Sequence, residues 1–192
     1  AHFDSSTGQL LLSEETSTSK RKDTNITLTF DYANHTAQYD NVIETEKTKE
    51  LIVPEGKPMD LITSLVQTRT WDLKPGESQD ALVIFGDDFY ELTIHAERYE
   101  TLRTPLGKFK TLVLVPRMEK TEPKGMFKRG STVRVWISQD EQRLPVRFEV
   151  EFKFGAGVAT LVNYQPPRPT PIASDGDDAT GEDIPDVEQV CP

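Results

Sequence analysis

The sequence predicts a mainly β fold: a curved antiparallel meander sheet, half-barrel or barrel-like, with one short helix packed on it. Three observations carry this. Apolar residues recur with a period of two through residues 1–164. Short turns rich in Pro, Gly and Asp separate the runs. One segment, residues 58–70, has helical spacing instead. Successive strand side chains point to opposite faces, so each alternating run makes one apolar face and one wet face. That pattern suits an antiparallel sheet rather than a doubly covered parallel one.

The elements follow in chain order. Ile26, Leu28, Phe30 and Tyr32 alternate with Thr27, Thr29 and Asp31, and Asn34-His35-Thr36 is a turn beyond them. In residues 58–70 the apolar positions Met59, Leu61, Ile62, Leu65 and Val66 fall on one side of a helix that Asp60 can cap. So short a helix is marginal alone and must lay that side on the sheet. Lys74-Pro75-Gly76 suits a type II turn. Residues 81–85 and 111–115 stay apolar for longer and read as central strands covered on both sides. Gly86-Asp87-Asp88 leads into Tyr90, Leu92, Ile94 and Ala96, which alternate with Glu91, Thr93, His95 and Glu97. Thr104-Pro105-Leu106-Gly107 is a tight connection, and Val133, Val135 and Ile137 alternate with Arg134, Trp136 and Ser138. Asp140-Glu141-Gln142-Arg143 then joins a run whose apolar face is Val146, Phe148, Val150, Phe152 and Phe154. Gly155 and Gly157 allow a bulge or bend before a last strand over 158–164. Short links between neighbours imply a meander.

At 192 residues the chain is long enough for one domain with a tail. Residues 165–192 hold six of the 13 prolines and seven acids against the single base Arg168. This stretch reads as a disordered, acidic, Pro-rich tail. Residues 1–164, with 21 bases and 25 acids, form the β-domain. A net charge of -10 excludes a nucleic-acid binder built on a strongly basic surface. No apolar run approaches the roughly 18 residues of a transmembrane segment. The lone Cys191 excludes an internal disulfide and a cysteine-rich zinc site. Ala1 opens the chain with no charged-then-apolar leader, so the chain reads as processed or cut from a longer one.

Several strings stand together: Asp60-Leu61-Ile62-Thr63-Ser64-Leu65, Leu73-Lys74-Pro75-Gly76-Glu77, Tyr90-Glu91-Leu92-Thr93, and Glu100 to Thr111 with its Thr-Pro-Leu-Gly turn. Most specific is Trp136-Ile137-Ser138-Gln139-Asp140 with Arg143-Leu144-Pro145-Val146. This series resembles a bacterial exported family, domain of unknown function 3108, over roughly residues 8–164. The resemblance implies an envelope or periplasmic location and a β fold, and supplies no reaction. Relatives of that kind start with a further strand pair, so the β-domain is expected to be incomplete at its N-terminus. The hairpin is also similar to the curved half-barrels of periplasmic lipoprotein carriers.

Candidate sites are few. No nucleophile elbow, phosphate loop or dinucleotide fingerprint occurs, so no cofactor is expected. His2, His35 and His95 do not pair at ligand spacing, so no metal is expected either. His95 with Glu91 and Glu97 could do acid–base work if the three lined a cleft, or could simply be a solvated strand face. Glu149 and Glu151, flanked by Arg147 and Lys153, suit cross-strand ion pairs. Trp136 stands with Arg134 on the nominally polar face, either packed or touching a ligand. Arg143 can pair with Asp140, and residues 119–129 read as a mobile, mildly basic tip. The leading expectation is a non-enzymatic cell-envelope domain binding an apolar or amphipathic ligand, a lipid for example, or a partner protein, through Trp136, Arg134, Leu61 and Leu65. The alternatives are an envelope enzyme acting on polysaccharide, and a structural adaptor that pairs through an edge strand.

Overall fold

The computed structural model describes residues 1–4, 6–20, 23–128 and 130–166. Of the expected tail, only Gln165 and Pro166 fall among them; the rest, with Cys191, lies outside the described residues. The elements in chain order are β1 (His2–Phe3), β2 (Leu10–Thr18), β3 (Asp23–Asp31), β4 (Thr36–Asn41), β5 (Lys49–Ile52), β6 (Met59–Asp60), α1 (Leu61–Gln67), β7 (Ser78–Phe85), β8 (Asp88–Thr104), β9 (Gly107–Arg117), β10 (Thr132–Ser138), β11 (Pro145–Phe152) and β12 (Gly155–Thr160). They make a curved antiparallel half-barrel with one short helix. Strands β1 to β5 pair consecutively in one sheet and β6 to β12 in another, the meander that short links dictate. The β6–β7 pair differs: it is parallel and two residues long, Met59 opposite Val83 and Asp60 opposite Ile84.

Three cores hold the strands. On the inner face of the seven-stranded sheet, Val83, Tyr90, Leu92, Ile94, Leu112, Leu114, Val135 and Ile137 pack together, with Leu65, Trp71, Phe127 and Phe148 against them. The outer face of the same sheet is not wet at its centre. Val113, Val115, Trp136, Leu144 and Val146 form a second core, which Leu161 and Tyr164 help cover. A third core lines the five-stranded sheet with Leu10, Leu28, Phe30, Tyr39 and Leu51, and Ile84 reaches into it from β7. Residues 111–115 are therefore buried throughout, as their unbroken apolar run requires.

Two bulges change which side chains face which core. The register of β8 against β9 shifts between Ala96 and Arg98. Inserting one residue exchanges the two faces downstream, so Glu100 turns to the outer core. The register of β10 against β11 shifts between Trp136 and Ile137, and Val146 joins the outer core while Phe148 stays inside.

The last apolar run behaves differently from its period. β11 stops at Phe152, and Phe152 pairs with Gly155 across a two-residue turn. Phe154 sits fully exposed on that turn, and Phe152 is half-exposed, so neither belongs to a core. Gly155 takes φ of +148°, which lets the hairpin close there, the sharp bend of the two forms that Gly155 and Gly157 allow. The final strand runs over Gly155–Thr160 rather than 158–164.

Candidate functional site

Helix α1 begins where its cap dictates. The Asp60 carboxylate accepts from the Thr63 amide at 2.8 Å and from the Thr63 hydroxyl at 3.0 Å. After Gln67 the chain tightens into a 3-10 turn over Thr68–Thr70. The helix is too short for its whole apolar side to be buried. Leu61 and Leu65, four residues apart, face the inner core, whereas Ile62 is 68% exposed and Val66 49% exposed. The expectation that all five apolar residues lie on the sheet is corrected there: positions 62 and 66 are turned about a hundred degrees from 61 and 65 and look outward.

Between α1 and the inner face lies a cavity of about 50 Å³, lined almost wholly by carbon. Leu61, Leu65 and Trp71 line it from α1 and the turns after it, Val83, Leu92 and Val135 from the sheet, and Met126 and Phe127 from the segment between β9 and β10. Besides the phenol of Tyr90, two lining residues carry hydroxyls, Ser64 and Thr68. Each donates to a carbonyl of the helix itself, Ser64 to Leu61 at 2.7 Å and Thr68 to Leu65 at 2.6 Å. Those bonds leave the cavity with little to offer water.

Met126 and Phe127 come from residues 118–128, which hold the described part of the segment 119–129 read as a mobile, mildly basic tip. It packs Phe127 against the inner core, with a 3-10 turn at Gly125–Phe127. Phe127 meets Tyr90 with ring centroids 5.7 Å apart, and Lys124 Nζ stands 5.1 Å from the centroid of the same ring. Gly125 takes φ of +55°, and a Cβ built there would overlap Tyr90 Oη, so only glycine fits this approach. Burial, with Asp88 nearby, holds the Tyr90 phenol above its ordinary pKa.

The residues expected to bind ligand divide into two pairs. Leu61 and Leu65 line the cavity. Trp136 and Arg134 lie on the other face of β10. Trp136 is buried in the outer core, its Nε1 donates to Glu100 Oε1 at 2.6 Å, and Arg147 stacks 5.0 Å from the ring centroid. Arg134 pairs across to Glu149 at 3.3 Å and Glu151 at 2.8 Å, the cross-strand arrangement foreseen for those acids. Glu151, the main cause, raises the Arg134 pKa further above its ordinary value.

The candidate acid–base set is spread along β8. His95 Nε2 is 2.9 Å from Glu119 Oε1, a partner 24 residues away that no local pattern announces. Glu97, at the bulge, pairs with Arg98 at 3.1 Å and Arg117 at 2.9 Å. Glu91 is exposed. Arg143 also departs from expectation. Its backbone amide donates to Asp140, but its guanidinium crosses to the Trp71 carbonyl and lies 3.9 Å from Asp72, because φ of +46° directs the side chain out of its own turn. Among the described residues no group of three or more His, Cys, Asp or Glu side chains could hold a metal ion. No helix among them is long and apolar enough to cross a membrane.

Among the cavity residues, periodicity placed Tyr90 on the inner face with Leu92 and Ile94 but missed Trp71, Met126 and Phe127. Trp71 and Phe127 sit in aperiodic segments, where the sequence offers composition but no face. The family described as "Protein of unknown function (DUF3108)" matches residues 1–162. No curated protein and no solved structure matches the chain.

Proposed function

Because the chain belongs to the DUF3108 family of proteins of unknown function, its role must be argued from the molecule, and we propose that it is a non-enzymatic cell-envelope domain that takes an apolar or amphipathic ligand beneath α1. The observation that carries this reading is the carbon-lined cavity between helix and sheet. A side chain could fill a space of that kind with little strain, and packed interiors normally leave few such voids. Instead the fold places a marginal, seven-residue helix over it. A space of about 50 Å³ admits no whole acyl chain, so ligand entry requires one wall to move. The resemblance to an exported family is what supports the envelope setting of this reading.

Native mass spectrometry of the full chain, gently purified from its own source, tests the reading. The expected result is a discrete lipid-sized adduct that is lost on denaturation. Leu65→Trp, which fills the cavity, is expected to abolish the adduct while circular dichroism stays that of the folded protein. A bare mass from the unaltered protein would overturn the proposal.

A further inference from the structure

Resting on that reading, we infer that the strap of residues 118–128, latched on Tyr90, is the gate of the cavity, and that α1 is its fixed wall. The two walls are held by different kinds of contact. α1 is tied to rigid elements: Asp60 caps it and belongs to β6, which is hydrogen-bonded to β7. Arg69 donates to the Gln142 carbonyl at 3.1 Å, and Arg143 donates to the Trp71 carbonyl just after the helix.

The strap is held otherwise. Its backbone bonds are local: the Phe127 amide donates to Lys124 at 2.9 Å, the Lys128 amide to Gly125 at 3.5 Å and the Lys124 amide to Met118 Sδ at 3.5 Å, while the Lys128 carbonyl accepts from Ser131 just before β10 at 3.0 Å. It reaches the barrel through three ion pairs, Glu119 to His95 at 2.9 Å, Lys120 to Asp80 at 2.7 Å and Lys124 to Asp88 at 2.6 Å. Every one of these side chains keeps a quarter or more of its surface in water. Such pairs contribute little each and are screened by salt. Apart from the packing of Met118 and Phe127 on the inner core, its holding point is one aromatic plate: Lys124, Gly125 and Phe127 all converge on Tyr90. Lifting these residues off Tyr90 withdraws Met126 and Phe127 from the cavity wall and opens it. Met118, buried where β9 ends, is the hinge.

Hydrogen–deuterium exchange on the full chain reads the two walls separately. Strap amides are expected to exchange faster than those of α1. Gly125→Ala, which sets a methyl against Tyr90 at a left-handed φ, is expected to speed strap exchange about tenfold and leave α1 unchanged. Lys120→Gln with Lys124→Gln, surface changes that spare the fold, are expected to act in the same direction and to remove the acceleration that about 1 M salt causes in the parent. A strap as well protected as α1, or one unmoved by either variant, would sink the gate. Stopped-flow binding of anilinonaphthalene sulfonate adds the function: association is expected to be faster in Gly125→Ala, and equal rates in variant and parent overturn the gate. Failure of any ligand or dye to bind, with strap exchange as expected, overturns the ligand reading instead and leaves the strap's opening standing.

Discussion

Trp136 makes two unlike contacts: an indole N–H on the Glu100 carboxylate and a ring face under Arg147. Both partners are charged, and the ring lies between them in a buried position. Truncation there removes packing and leaves the Glu100 oxygen without its donor. Trp136→Ala is therefore expected to lower stability by about 3–5 kcal/mol in urea unfolding. Glu100→Gln keeps an acceptor at the same place and is expected to cost about 1 kcal/mol. Because Trp136 sits on the face opposite the cavity, neither change is expected to alter the adduct seen by native mass spectrometry. Loss of the adduct in a folded Glu100→Gln protein would contradict that separation of faces.

α1 shows what a single cap does for a short element. Asp60 supplies two bonds to Thr63, and the helix adds only seven residues beyond it. Asp60→Ala is expected to cost about 1 kcal/mol, read as a lower thermal midpoint. Asp60→Asn, which keeps the acceptor, is expected to restore most of it. The helix, its cap and the pair Leu61–Leu65 were legible because helical spacing and cap chemistry are local properties. Ile62 and Val66 were not, because burial of a short helix is decided by what packs on it. The bulges at Glu97 and at Val146 were illegible for a related reason: register belongs to a strand pair, while periodicity belongs to one strand. Residues 118–128 have no period at all, so the convergence of Lys124, Gly125 and Phe127 on Tyr90 emerges only from the folded chain.

Across the whole molecule, surface carboxylates tie loops to strands. Lys49 holds the Asp87 carboxyl below its usual range, Lys120 does the same for Asp80, and the Ser6 hydroxyl with neighbouring amides lowers Asp4 to about 2. A carboxyl whose folded pKa is depressed contributes stability above its unfolded value, and that contribution is lost as pH falls through the folded value. The urea midpoint is thus expected to drop as pH falls from about 4 toward 2. Asp87→Asn is expected to make that drop shallower; an unchanged slope would show that Asp87 takes no part in it. At the same scale, β7 joins the two sheets through adjacent residues. Val83 faces the inner core and Ile84 reaches the core of the five-stranded sheet. A slip of β7 by one position would send each into the wrong core at once. Neither sheet can therefore sample an alternative pairing of this strand on its own, and the correct alignment of one enforces that of the other.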